Sequence, residues 1–170
     1  MDSAALKSLQ APLKARYRDA PDAARLTLKA SGQLGEGVVC SVQTGRTMVE
    51  AGLHPATGGD GLSLCSGDML LEALVACAGV TLKAVATALD LPVNGGAVRA
   101  EGDLDFRGTL GVDREAPVGF SAIRLTFDLD ADLDPDKQAS LLKLTERYCV
   151  VYQTLKGGVD VTVELKAAAG

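Results

Sequence analysis

Residues 66–93, SGDMLLEALVACAGVTLKAVATALDLPV, are the stretch on which the fold turns. Leu70, Leu71, Leu74, Val75, Ala76, Val80, Leu82, Val85 and Ala88 leave almost no polar face when wound into a helix. The pattern predicts a helix from Met69 to Leu89, with Ser66 or Asp68 capping it by accepting hydrogen bonds from its free N–H groups. Gly79 is costly inside a helix and marks close packing against a neighbour. Glu72, Lys83 and Asp90 interrupt the apolar run, Pro92 ends it, and its alanine content weakens any tendency to enter a bilayer. A helix apolar on every side needs cover on every side. In a chain of 170 residues that requirement points to a second subunit.

Upstream, Leu6, Leu9 and Leu13 sit at helical intervals and predict a short amphipathic helix over Ser3 to Arg18, despite Pro12. Three strand signals follow, at Arg25 to Ala30, Gly37 to Val42 and Thr47 to Glu50, with turns at Gly32 to Gly37 and at Gly45. Alternation through Val38, Cys40 and Val42 places Cys40 on one strand face, where strand packing is its expected role. A loop runs from Gly52 to Leu64.

Downstream, a turn at Asn94-Gly95-Gly96 leads into a strand over Ala97 to Gly108, with Leu104 and Phe106 on one face. Ile123, Leu125, Phe127 and Leu129 alternate through Ser121 to Asp130 and predict a half-exposed antiparallel strand. Asp134-Pro135 opens a second helix running to Tyr148 that buries Leu141, Leu142 and Leu144, with Cys149 at its far end. A short turn over Val150 to Leu155 and a last strand over Val159 to Leu165 complete the order. Strand runs separated by single helices indicate an α+β domain rather than a doubly wound parallel sheet. One domain spans residues 1–170, with residues 1–20 as a helical extension.

Composition narrows the function. Apolar residues make up 47% of the chain but aromatics only 4%, so Ala, Val and Leu must build the core. The net charge of −5 and the scattered basic residues argue against a nucleic-acid surface. The N-terminal residues lack the apolar core of a secretory signal, and a cytoplasmic protein with reduced thiols is expected. The four cysteines form no Cys-x-x-Cys pair that would suggest zinc. The Gly58-Gly59-Asp60-Gly61 run lacks the lysine and spacing of a phosphate loop.

Two segments carry a resemblance. Gly67 to Cys77, GDMLLEALVAC, resembles the central helix of the OsmC/Ohr family, and Glu146 to Leu155, ERYCVVYQTL, resembles that family's second cysteine motif. The order of strands between them matches as well, over roughly Arg25 to Leu165. The resemblance implies an intertwined homodimer with antiparallel sheets packed around long central helices. It also implies a thiol-dependent peroxidase acting on organic hydroperoxides. By motif position Cys77 corresponds to the attacking cysteine and Cys149 to the resolving one. An external dithiol would restore the pair; no cofactor, metal, nucleic acid or membrane is implied.

This sequence departs from the family pattern in three places. Val150 stands where Pro is usual, Tyr152 where Ser is usual, and the early hairpin lacks the Arg that assists the cysteine in the hydroperoxide branch. Asp68 is the nearest match to that branch's helper Glu. It precedes Cys77 by nine residues, however, which is half a turn out of phase, so a helix cap is its expected role. His54, Arg46 and Cys65 are the other candidates for tuning or lining the site. Glu72, inside the apolar helix, needs a partner or a path to solvent. Against the enzyme stands a second reading: a non-enzymatic domain that binds a small apolar ligand or serves as a stress-related structural protein, in which Cys77 packs as a small hydrophobe.

Overall fold

The computed structural model describes residues 2–5, 7–8, 10–11, 19, 31–34, 39–44, 47–111 and 113–165. The expected strand over Arg25 to Ala30 and most of the expected first helix lie outside them, although the described positions from 3 to 11 are helical. Strands β1 (Ser31–Leu34), β2 (Val39–Thr44), β3 (Thr47–Gly52) and β4 (Leu64–Cys65) form a sheet in that order. The first two pairings are antiparallel and the last is parallel, with Cys40 opposite Leu34 on one side and Ala51 on the other. β1 takes up the start of the glycine-bearing stretch expected to be only a turn.

From β4 the chain passes directly into the long helix α1 (Ser66–Ala88). Pairing with β3 holds Cys65 extended, so Cys65 is the N-cap and the helix begins three residues earlier than the periodicity predicts. No side chain caps it; Ser66 and Asp68 both lie within the first turn, which corrects the expected cap. β5 (Gly95–Asp103) and β6 (Ala122–Asp130) follow as an antiparallel pair. α2 (Pro135–Tyr148) and α3 (Val150–Gly157) close the described chain.

α1 packs against β5, α2 and α3. At Gly79 an added Cβ would stand 3.5 Å from Cγ2 of Val98, so helix and sheet meet there closely. Leu82, Val85, Ala86, Val93, Leu133 and Leu141 form the buried core, with Phe127 and Leu129 of β6 packed on it. The outer face of the hairpin carries ion pairs: Arg124 to Glu101 and Asp103, and Arg99 to Asp128. Asp134 caps α2 through a 2.8 Å hydrogen bond from the Lys137 N–H, with Pro135 in the first turn, as its sequence predicts.

Four expectations are corrected. β5 ends at Asp103, because the Asp105 carboxylate accepts the Arg107 N–H at 3.0 Å and caps a single helical turn, Phe106–Thr109. Residues 150–155 belong to α3 and not to a turn. Leu142, expected inside, is exposed. Residues 159–165 form no strand, and Val159, Val161, Val163 and Leu165 all stand in solvent. Their apolar-polar alternation is that of a strand, but none of the described strands β1–β6 pairs with them.

Candidate active site

Cys77 sits on the fourth turn of α1, half-buried, on the side that α3 approaches. Cys149 is the joint between the last two helices. Its N–H donates to Thr145 O at 2.9 Å and closes α2, while its carbonyl accepts the Gln153 N–H at 2.9 Å and opens α3. Its backbone is extended. The side chain is 1% exposed. The Gln153 side chain also donates to Glu146 O at 2.8 Å and fixes the corner.

This corner solves an electrostatic problem. The first N–H groups of a helix have no acceptor within it and carry the positive end of the helix dipole. In α3 those groups face the two sulfurs. Burial alone would push the Cys77 thiol up, but the Val151 N–H, the Cys149 thiol, the Val150 N–H and the Thr81 hydroxyl outweigh it and hold Cys77 below an ordinary thiol. Burial pushes the Cys149 thiol up, and the charge on Cys77 adds to that against the N–H groups of Tyr152 and Val151. The two sulfurs lie within hydrogen-bonding reach, Cys149 protonated and Cys77 the better anion.

Cys149 also lines a cavity of about 390 Å³. Leu74 and Ala78 of α1, Ile123, Leu125 and Phe127 of β6, and Phe120 just before β6 form its apolar walls. Glu146, Tyr152 and Lys156 supply its polar atoms, with the Lys156 ammonium donating to the Tyr152 hydroxyl at 3.2 Å.

The remaining candidates are elsewhere. His54, Cys65 and Asp68 line a second cavity, also about 390 Å³, together with Leu71, Gly102, Phe106 and Phe120. Along α1, Asp68 lies nine residues from Cys77, about 13 Å at ~1.5 Å per residue. His54 is occupied structurally: its Nδ1 accepts the Ala56 N–H at 3.0 Å and its ring stacks on Phe106 at 5.0 Å. Arg46 and the side chain of Cys40 lie outside the described residues. Glu72 reaches solvent. Among the described residues no cluster of His, Cys, Asp and Glu could hold a metal.

Sequence reasoning missed Thr81, the α3 amides and Phe120. Thr81 was legible, since i,i+4 residues share a helix face. So was α3: Val150, Val151 and Leu155 recur at helical spacing and Gly158 follows as a stop signal. Phe120 carries no local signal, because its role depends on the β5–β6 pairing.

A family profile described as OsmC-like protein matches residues 58–164, a span that contains both cysteines. Against curated proteins the chain has no match. Among solved structures it resembles an OsmC-like protein from Mycoplasma pneumoniae, with 16% identity, a TM-score of 0.65, and coverage of 78% of this chain and 89% of that one. It resembles an organic hydroperoxide resistance protein OsmC from Legionella pneumophila at 16% identity and TM-score 0.61, covering 79% and 93% of the two chains. The organic hydroperoxide resistance protein OhrB of Bacillus subtilis matches at 20% identity and TM-score 0.57, over 83% and 98%. At these identities the likeness is one of fold.

Proposed function

The chain belongs to the OsmC-like protein family, and we propose that it is a thiol-dependent peroxidase that reduces organic hydroperoxides with Cys77 attacking and Cys149 resolving. The observation that carries this reading is the shared position of the two sulfurs at the start of α3, with opposite displacements of their acidities. Two structural relatives are named for organic hydroperoxide resistance, which agrees with it.

In this reading the Cys77 thiolate attacks the terminal oxygen of R–O–O–H. The O–O bond breaks, and the electron pair leaves with RO⁻, which takes a proton from water to give the alcohol. Cys77 is then a sulfenic acid. The Cys149 sulfur attacks it, the S–O bond breaks as the S–S bond forms, and the hydroxyl leaves as water with the Cys149 proton. An external dithiol reduces the disulfide and is itself oxidised. The α3 amides and Thr81 do here what a nearby cation does elsewhere: they stabilise the attacking anion. The apolar cavity beside Cys149 suits an alkyl substituent better than hydrogen peroxide.

Mass spectrometry after one equivalent of cumene hydroperoxide should find a Cys77–Cys149 disulfide, and Cys77→Ser should abolish peroxide consumption. Consumption that survives that substitution would exclude the mechanism. The same cavity also suits an apolar-ligand carrier without chemistry. Dithiol-dependent turnover separates the two, since a carrier has none.

The working form in this reading is a homodimer in the cytoplasm. Val80 on α1 is 73% exposed, and Val159, Val161 and Val163 stand in solvent, two apolar surfaces that a second copy would cover.

A further inference from the structure

The two cavities lie end to end along one face of α1. Gly67, Asp68 and Leu71 line the distal cavity, and Leu74 and Ala78 the one beside Cys149. From Gly67 to Ala78 is eleven residues, about 16 Å at ~1.5 Å per residue. Phe120 is the residue on β5–β6 that lines both. We propose that the Phe120 ring is a partition across one longitudinal groove and that it sets how long an apolar chain the Cys149 cavity accepts.

The partition is built into the sheet. Ser121, next to Phe120, is tied to Asp103 O through its N–H at 2.9 Å and its hydroxyl at 3.1 Å. The ring then lies on Gly102, where a Cβ would fall 2.6 Å from Cδ1 and closer still to Cε1. On the α1 side the ring's Cζ comes within 3.5 Å of where a Gly67 Cβ would be. Glycines on both flanks thus leave room for one aromatic ring, wedged between sheet and helix. Beyond it, Leu71, Leu104 and Phe106 provide further apolar wall.

The inference rests on the Cys149 cavity receiving the alkyl part of a hydroperoxide, so binding and turnover are measured separately. Straight-chain alcohols from butanol to dodecanol, the reaction products, are titrated calorimetrically, and the matching alkyl hydroperoxides are assayed with dithiothreitol. In the unaltered protein, affinity should rise about fourfold per buried methylene and then level off where the chain meets the ring. In Phe120→Ala the rise should continue for several more carbons, and kcat/KM should shift toward the longer hydroperoxides in step. Gly102→Ala displaces the ring without deleting it and should also move the break; it supplies the test if Phe120→Ala fails to fold. A break that stays at the same chain length in a folded variant overturns the partition. A break that moves in a protein that consumes no hydroperoxide upholds the partition and removes the enzyme.

Discussion

Hydrogen bonding between Cys77 of α1 and Cys149, where α2 ends and α3 begins, holds the Cys77 thiol's pKa down and pushes the Cys149 thiol's up. A hydrogen bond of this kind has a direction. It favours one negative charge, on Cys77, and opposes a second on its neighbour. The sulfurs are therefore unequal, and in the proposed mechanism the more acidic one attacks.

The first consequence is a split in alkylation by pH. Thiolate is the reactive form, and Cys77 is displaced below an ordinary thiol while Cys149 is displaced above it. Iodoacetamide labelling followed by peptide mass mapping should reach half-maximal rate at a lower pH for Cys77 than for an ordinary thiol, and at a higher pH for Cys149. Coincident profiles for the two would remove the asymmetry.

Val150→Pro isolates the contribution of the α3 amides. Proline suits the first position of a helix, and the preceding Cys149 is already extended, so the backbone tolerates it. What it removes is one N–H directed at Cys77. Loss of one hydrogen bond to an anion should slow Cys77 alkylation at pH 7 about tenfold while thermal unfolding barely moves. An unchanged rate would show that this amide does not tune the sulfur.

Leu141 anchors α2 to the core at 2% exposure. Leu141→Ala should cost about 2–5 kcal/mol in denaturant unfolding. A loss under ~1 kcal/mol would mean that the site collapses around the cavity or that the helix contributes little to the cooperative unit.

Val80 tests assembly. In a dimer that covers it, Val80→Asp buries an unpaired carboxylate and should shift sedimentation at micromolar concentration from two copies to one. Two monomeric profiles would leave the exposed face of α1 without this partner.

The long helix, β6 and α2 were readable because each is long enough for its period to declare itself, and Asp134-Pro135 named the start of α2. The two cysteine motifs both lie within the span that the family profile matches, residues 58–164. Errors fell where a contact that the periodicity does not register overrode it. Pairing with β3 moved the start of α1 back to Ser66 and made Asp68 an internal residue of the first turn. A side-chain bond from Asp105 cut β5 short. The strand pattern at residues 159–165 is present, but none of the described strands β1–β6 pairs with it. The activation of Cys77 was hidden for a further reason. Backbone amides donate whatever the side chain, so no residue type at 150 or 151 announces them.

Because one residue serves as the hinge pin for two helices, the redox state of its sulfur cannot stay private. In the proposed mechanism, once Cys77 and Cys149 are covalently joined, no thiolate remains for the amides of Val150 and Val151 to solvate, and water becomes their recourse. Hydrogen–deuterium exchange at those two positions should accelerate on oxidation and recover on reduction, making the opening turn of α3 an internal gauge of how far the thiols have been spent.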